Sequence, residues 1–340
     1  MARTITRTTT RLKSGTGFSL CIRQPATRAL AGLLVAIALV AGQSAGETVE
    51  LRYLCTFGDK DGIHPPRILN KKLAVAATGR GEHPYGLGFP EGVATDLDGR
   101  IWITDSGTAS VHIFDRKSGA YREIRKAGNY TLEQPTGIAC DREGRMYLVD
   151  TALSNVFVFE NGEYARALMK PATRHLLTGP TVIAFSEDEH TIYVADPPRN
   201  AIVALNREGE VDLTIPLTEA TREPVAIAVI NNQIYVLGSL QHRVEFFSPA
   251  GERRGELRWD GVQFPTTFAF DAEKRRFLVA NPRVAAVEIF DEEGRGLGAF
   301  GQLGDRVDQQ RKIETLHVDP HGLVYLVDSH HGKVLVFKGQ

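Results

Sequence analysis

The chain has 340 residues, with 40 basic against 41 acidic, a net charge of −1 and 8% aromatic residues. These values exclude a disordered or collagenous chain and fit one large or two small globular domains. With 33 glycines and only 3 methionines, the sequence leans toward turns and strands rather than helical bundles.

Residues 1–46 differ from the rest. They carry Arg3, Arg7, Arg11, Lys13, Arg23 and Arg28 and no acid, followed by the apolar run ALAGLLVAIALVAG from Ala29 to Gly42. A basic region, about 14 apolar residues and a small-residue exit describe a secretory signal peptide, with the cut expected after Gly46. The run is shorter than the roughly 20 residues of a membrane span, and left uncleaved it would act as an N-terminal anchor. Gln43 stands where a lipidated cysteine would be needed, so no lipid anchor is expected. An exported, periplasmic or extracellular protein is the expectation. Without residues 1–46 the chain holds 34 basic and 41 acidic residues, a net charge of about −7. An acidic surface repels phosphate backbones, which excludes nucleic acid as the expected partner. Cys55 and Cys140 remain, far apart and without metal spacing, and read as buried free thiols.

Residues 47–340 form the second region. A 25-residue unit beginning at Pro90, PEGVATDLDGRIWITDSGTASVHIF, returns near residues 134, 179, 223, 264 and 312. The positions equivalent to Asp96 are Asp141, Ser186, Ile230, Asp271 and Asp319, spaced by 45, 45, 44, 41 and 48 residues. Each unit predicts four short strands: for the first, Val93 to Asp96, Ile101 to Thr104, Val111 to Phe114 and Tyr121 to Ile124. Asp-x-x-Gly turns join them. Such a unit cannot bury both its faces alone, but six of them packed in a ring can. The sixth unit ends at Phe337 without a fourth strand, and residues 47–58 supply a candidate, with Leu51–Phe57 closing the ring. Residues 59–89 make a long connection, in which Arg67 to Gly79 predicts a short helix.

The pattern P-x-G-[IV]-A-x-D-x-x-G-x-[IM]-[WY]-[IVL]-x-D resembles the NHL repeat, over six units from Pro90 to Phe337. The resemblance implies an all-β, six-bladed propeller with four-stranded antiparallel blades, the last closed by the N-terminal strand. It also implies that ligands meet one face, where loops precede each first strand and follow each second strand. In the NHL-like amidating lyases a zinc ion is held by histidine after the repeat proline. Here those positions carry Glu91, Thr136, Thr181, Val225, Thr266 and Glu314, which argues against such a lyase. Glu91 and Glu314 fall in neighbouring blades once the ring closes, where two carboxylates would suit a hard cation such as calcium.

After the second strands come Asp105-Ser106, Asp150-Thr151, Asp196-Pro197, Asn281-Pro282 and Asp328-Ser329, with Gly238 as the exception. These read as turn devices, because Asp and Asn accept from nearby amides. His330-His331 is a local doublet that would need a third ligand, such as His83, to hold a metal. His317, in a position that is Ala in other units, reads as a packed ring. Arg199, His242, Arg243, Arg283, His330, His331 and Lys333 are basic loop residues on an acidic protein and point to an anionic partner patch. The expected function is an exported, monomeric, non-catalytic scaffold that binds a protein or small ligand through its loop face, within a membrane-associated envelope assembly. The alternative is a metal-dependent hydrolase or lyase at the channel mouth using Glu91 and Glu314. No resident cofactor is expected under the first reading; calcium or zinc belongs to the second.

Overall fold

The computed structural model describes residues 51–57, 86–239, 241–301, 310 and 312–339. The expected signal peptide, the helix at Arg67 to Gly79 and His83 lie outside them. Six four-stranded antiparallel sheets follow one another around a ring. Blade 1 contains Pro90–Thr95, Arg100–Asp105, Ser110–Asp115 and Tyr121–Ile124. Blade 2 begins with Pro135–Cys140 and Met146–Asp150, blade 3 with Ile183–Phe185 and Ile192–Asp196, and blade 4 with Pro224–Ile230 and Gln233–Gly238. Blade 5 begins with Phe268–Asp271 and Arg276–Asn281. Blade 6 joins Ile313–Val318, Leu323–Asp328 and Lys333–Gly339 to the outermost strand, Leu51–Phe57. That strand runs antiparallel to the last one, from Leu51 opposite Gly339 to Phe57 opposite Val334.

Period-two alternation explains the packing. In Arg100–Asp105, Ile101 and Ile103 enter the seam with blade 6, and Trp102 enters the seam with blade 2. In Met146–Asp150, Met146 and Leu148 face blade 1, and Tyr147 and Val149 face blade 3. Second strands are therefore buried on both sides and read as unbroken apolar runs. Each of the six seams holds its own apolar cluster. At about 1.5–3 kcal/mol per fully buried large apolar side chain, these seams dominate the ring's stability. Fourth strands lie at the rim and, apart from Leu51–Phe57, are mostly half-buried to exposed; in five of the six blades their pairing contains a bulge.

The turns do what the Asp-x-x-Gly spacing requires. Asp96 Oδ1 accepts from the amides of Asp98 (3.1 Å) and Arg100 (2.9 Å), and Oδ2 accepts from Trp102 Nε1 at 2.9 Å. Gly99 closes the turn at φ 79°, in the left-handed region that a side chain would strain. On this face the blades are also stitched sideways. Arg116 of blade 1 donates to the Tyr325 hydroxyl of blade 6 at 2.8 Å, and Tyr325 donates to Asp319 at 3.1 Å. Arg207 of blade 3 donates to Asp141 at 2.7 Å and to the Tyr147 hydroxyl of blade 2.

Candidate functional site: the channel mouth

The first strand of each blade is an edge strand, and together the six surround a central cavity of about 1110 Å³. Its mouth lies on the face where those strands begin. Two rings of side chains define it. The residues immediately before the first strands' leading Pro (Ile313 in blade 6) are Phe89, Gln134, Gly179, Glu223, Phe264 and Lys312. The residues just after are Glu91, Thr136, Thr181, Val225, Thr266 and Glu314, all of which line the cavity.

The loops carrying these residues are held by the carboxylates at the ends of the second strands. Asp105, fully buried, accepts from the amides of Gly88 (2.6 Å), Phe89 (2.8 Å) and Thr108 (3.1 Å). Asp150 does the same for Glu133, Gln134 and Leu153, and Asp196 for Thr178 and Gly179. Asp328 accepts from the amides of Lys312, His330 and His331 and from His331 Nδ1 at 2.6 Å. These groups are turn devices, but they also reach 16–18 residues back along the chain and pin the mouth. Blade 4 has Gly238 instead, where an added Cβ would lie 2.8 Å from Arg222 O and from Thr221. The incoming loop fills the space that an Asp occupies elsewhere.

At the seam between blades 6 and 1 the mouth is charged. Lys312 Nζ lies 2.8 Å from Glu314 Oε2 and 5.5 Å from the Phe89 ring centroid. Ser329 donates to the same Glu314 oxygen at 3.1 Å. Burial pushes the Glu91 carboxyl up, and neighbouring Glu314 and Asp105 add to this, while a hydrogen bond with Ser106 and the charge of Lys312 oppose it. Glu91 and Glu314 are thus electrostatic neighbours. Among the described residues no three His, Cys, Asp or Glu side chains gather in a metal-holding group. The nearest third charge is an ammonium, which does not fit a hard cation between the two carboxylates. Added calcium or zinc at millimolar concentration is therefore expected to move the melting temperature by less than about 1 °C, read by scanning fluorimetry.

Next along the rim, Phe264 of blade 5 stands 42% exposed with φ 56°, and its ring lies 4.1 Å from that of His242, centroid to centroid, with the planes tilted by 50°. Thr266, two residues on, donates to Ile313 O of blade 6 at 2.9 Å and joins this rim to the charged seam. Deeper in, His317 Nε2 sits 3.1 Å from Thr95 Oγ1 and its ring packs on Tyr325, with burial pushing the imidazole down to about 4. Cys140 is half-buried on the wall, and its thiol is pushed up to about 12 by burial and then by Asp141, Asp96 and Glu189. Cys55 is buried and also raised to about 12.

Several of the basic loop residues are engaged within the chain. Lys333 is a correction: it is 1% exposed, paired in register with Asp328 at the start of its strand, and so withdrawn from any partner. Arg199 ties its own loop, donating to His175 O at 2.9 Å and Thr178 Oγ1 at 3.0 Å. Arg243 lies 3.1 Å from Glu256, and Arg283 donates to Gln263 at 2.7 Å. His330 is exposed beside His331, whose ring is engaged by Asp328. Phe89, Phe264 and Lys312 were not singled out from sequence. The available signal was two aromatics and a lysine at positions where other units carry Gln, Gly or Glu.

Six four-stranded blades around an open channel make this chain a β-propeller. The NHL repeat model matches residues 87–114, across the first three strands of blade 1. Solved structures of similar fold include one described as a streptogramin B lyase, at TM-score 0.54 and 13% identity, covering 73% of this chain and 78% of that one. Another is a selenomethionine-substituted virginiamycin B lyase from Staphylococcus aureus, at TM-score 0.52 and 12% identity, covering 74% of this chain and 95% of that one. At such identities the likeness is one of fold. No curated protein sequence matches the chain.

Proposed function

We propose that this propeller is an exported, non-catalytic binding scaffold that holds a protein partner on the face where its first strands begin. The observation carrying this reading is Phe264. A bulky residue in the left-handed region costs on the order of 1–3 kcal/mol, and leaving its ring 42% exposed forgoes burial energy as well. Glu223, at the equivalent position of blade 4, has the same left-handed backbone, but at Phe264 that backbone presents an exposed aromatic ring beside His242 and a wide cavity, which is what a preformed contact surface needs. The basic, then apolar, N-terminal 46 residues support export. Fold likeness to lyases, together with the raised Glu91 carboxyl, supports the alternative of a hydrolase or lyase at the same mouth. The metal titration above weighs against it if no shift is seen.

The test places a photo-crosslinking amino acid at Phe89, Phe264 or, on the opposite face, at Leu97, which is 63% exposed. In the native host, Phe89 and Phe264 are expected to yield a discrete crosslinked protein band and Leu97 none. Crosslinks from Leu97 alone, or from none of the three, overturn the reading.

A further inference from the structure

We infer that the mouth between blades 6 and 1 receives a lysine or arginine side chain from a partner protein's loop, with apolar flanking residues resting on Phe264 and Phe89. This deepens the scaffold reading above and rests on it. The first argument is charge complementarity. Glu91 and Glu314 face one ammonium, Lys312, which is engaged with Glu314 at 2.8 Å and with the Phe89 ring. The pair therefore keeps a net negative charge at a half-buried position, where solvent screens it less than at an open surface. A cation placed beside Glu91 offsets that charge and gains a charge-assisted hydrogen bond.

Shape gives the second argument. Glu91, Glu314 and Phe264 all line the cavity, so an entering side chain meets both carboxylate and, beside His242, aromatic surface. Lysine and arginine combine an apolar stem with a cationic head and fit such a mixed entrance. Exposed apolar side chains also stand on this rim: Phe89 is 39%, Phe264 42% and Val284 54% exposed. A small free amine would fill the mouth and leave that rim uncovered, whereas a peptide loop covers both. With Lys312 present the two carboxylates leave one net negative charge, which a monovalent side chain neutralises and a divalent ion would overshoot. Rigid Asp105 and Asp328 anchors hold the Phe89 and Lys312 loops in place, so the entrance is formed before binding.

The test pans a phage-displayed random dodecapeptide library on the intact protein. Enriched sequences are then synthesised with a fluorophore and titrated by anisotropy. Peptides carrying Lys or Arg beside an apolar residue are expected. Glu91→Gln should weaken them at least tenfold, Phe264→Ser several-fold and Leu97→Ser not at all, with each variant's melting temperature within about 2 °C of wild type. Replacing the peptide's lysine by norleucine should cost as much as Glu91→Gln, and the two changes together little more than either alone. Acidic or uncharged winners, or basic winners indifferent to Glu91→Gln, overturn the inference. If such peptides still depend on Phe264, the scaffold reading stands and only the cation pocket falls. Winners that depend on Leu97, or no winners at all, remove both.

Discussion

The double variant Arg52→Cys/Lys338→Cys is expected to form a disulfide on mild oxidation and to melt roughly 10 °C above its reduced form. Arg52 and Lys338 are register partners on the outermost and third strands of blade 6, and both side chains are exposed. Among the described residues no disulfide clasps the ring, and Cys55 and Cys140 are free. The ring is held at this point by strand pairing and by the seams on both sides: Leu51 and Tyr53 pack toward blade 5, and Phe57 packs on Phe114 (centroids 5.1 Å apart) beside Val93, Ile101 and Tyr325. Cross-linking residues 52 and 338 closes almost the whole chain into a loop, a restriction of the unfolded state worth up to about 5 kcal/mol. With Cys21 replaced by Ser, the remaining native thiols should not compete, because burial raises Cys55 and Cys140 to about 12 and so keeps them protonated. Oxidised and reduced samples compared by gel mobility and calorimetry decide the matter. If no bond forms while the protein stays folded, Leu51–Phe57 does not pair with Lys333–Gly339. As a companion, Phe57→Ala should cost about 3–5 kcal/mol by opening a cavity in the closing seam.

The ring was legible in the sequence because its determinants are local and repeated. Asp-x-x-Gly encodes a turn within four residues, and an apolar run such as IWIT encodes a strand buried on both sides. The site was less legible because its determinants are not local. Nothing near Asp105 in the sequence says that its carboxylate reaches back to the amides of Gly88 and Phe89. Lys333 follows a glycine in a polar loop and reads as surface, yet strand pairing with Asp328 buries it. Phe264 precedes a proline and reads as the start of a buried strand. Its positive φ turns the ring outward onto His242 instead, a choice made by the tertiary packing of blades 4 and 5.

The same anchoring logic predicts that Asp105→Ala is among the most costly single changes at the mouth. Removing this carboxylate strips the Gly88, Phe89 and Thr108 amides of their acceptor and deprives His112 of a neighbour 3.5 Å away. At roughly 1–3 kcal/mol for each buried group left unsatisfied, the loss should reach about 3–5 kcal/mol once partial rescue by water is allowed. Asp105→Asn, which keeps one acceptor oxygen, should lose less. The acid limb provides an independent readout. Burial alone would raise the Asp105 carboxyl, but the hydrogen bonds from His112 and from the amides of Phe89 and Gly88 outweigh it and hold the group below the ordinary carboxylate range. A carboxylate depressed in the folded state contributes stability above the unfolded value of about 4, and loses it as the pH falls through the folded value. Wild type should therefore lose more stability than Asp105→Ala between pH 4 and pH 2, so that the two denaturation midpoints converge in acid. Parallel curves would mean that the carboxylate's charge contributes nothing at this position. Because Asp105 also fixes the Phe89–Glu91 loop, Asp105→Ala should lose partner contact under conditions where most of the protein is still folded. A substitution that leaves Glu91 and both phenylalanines in the chain would then separate the position of the mouth from its composition.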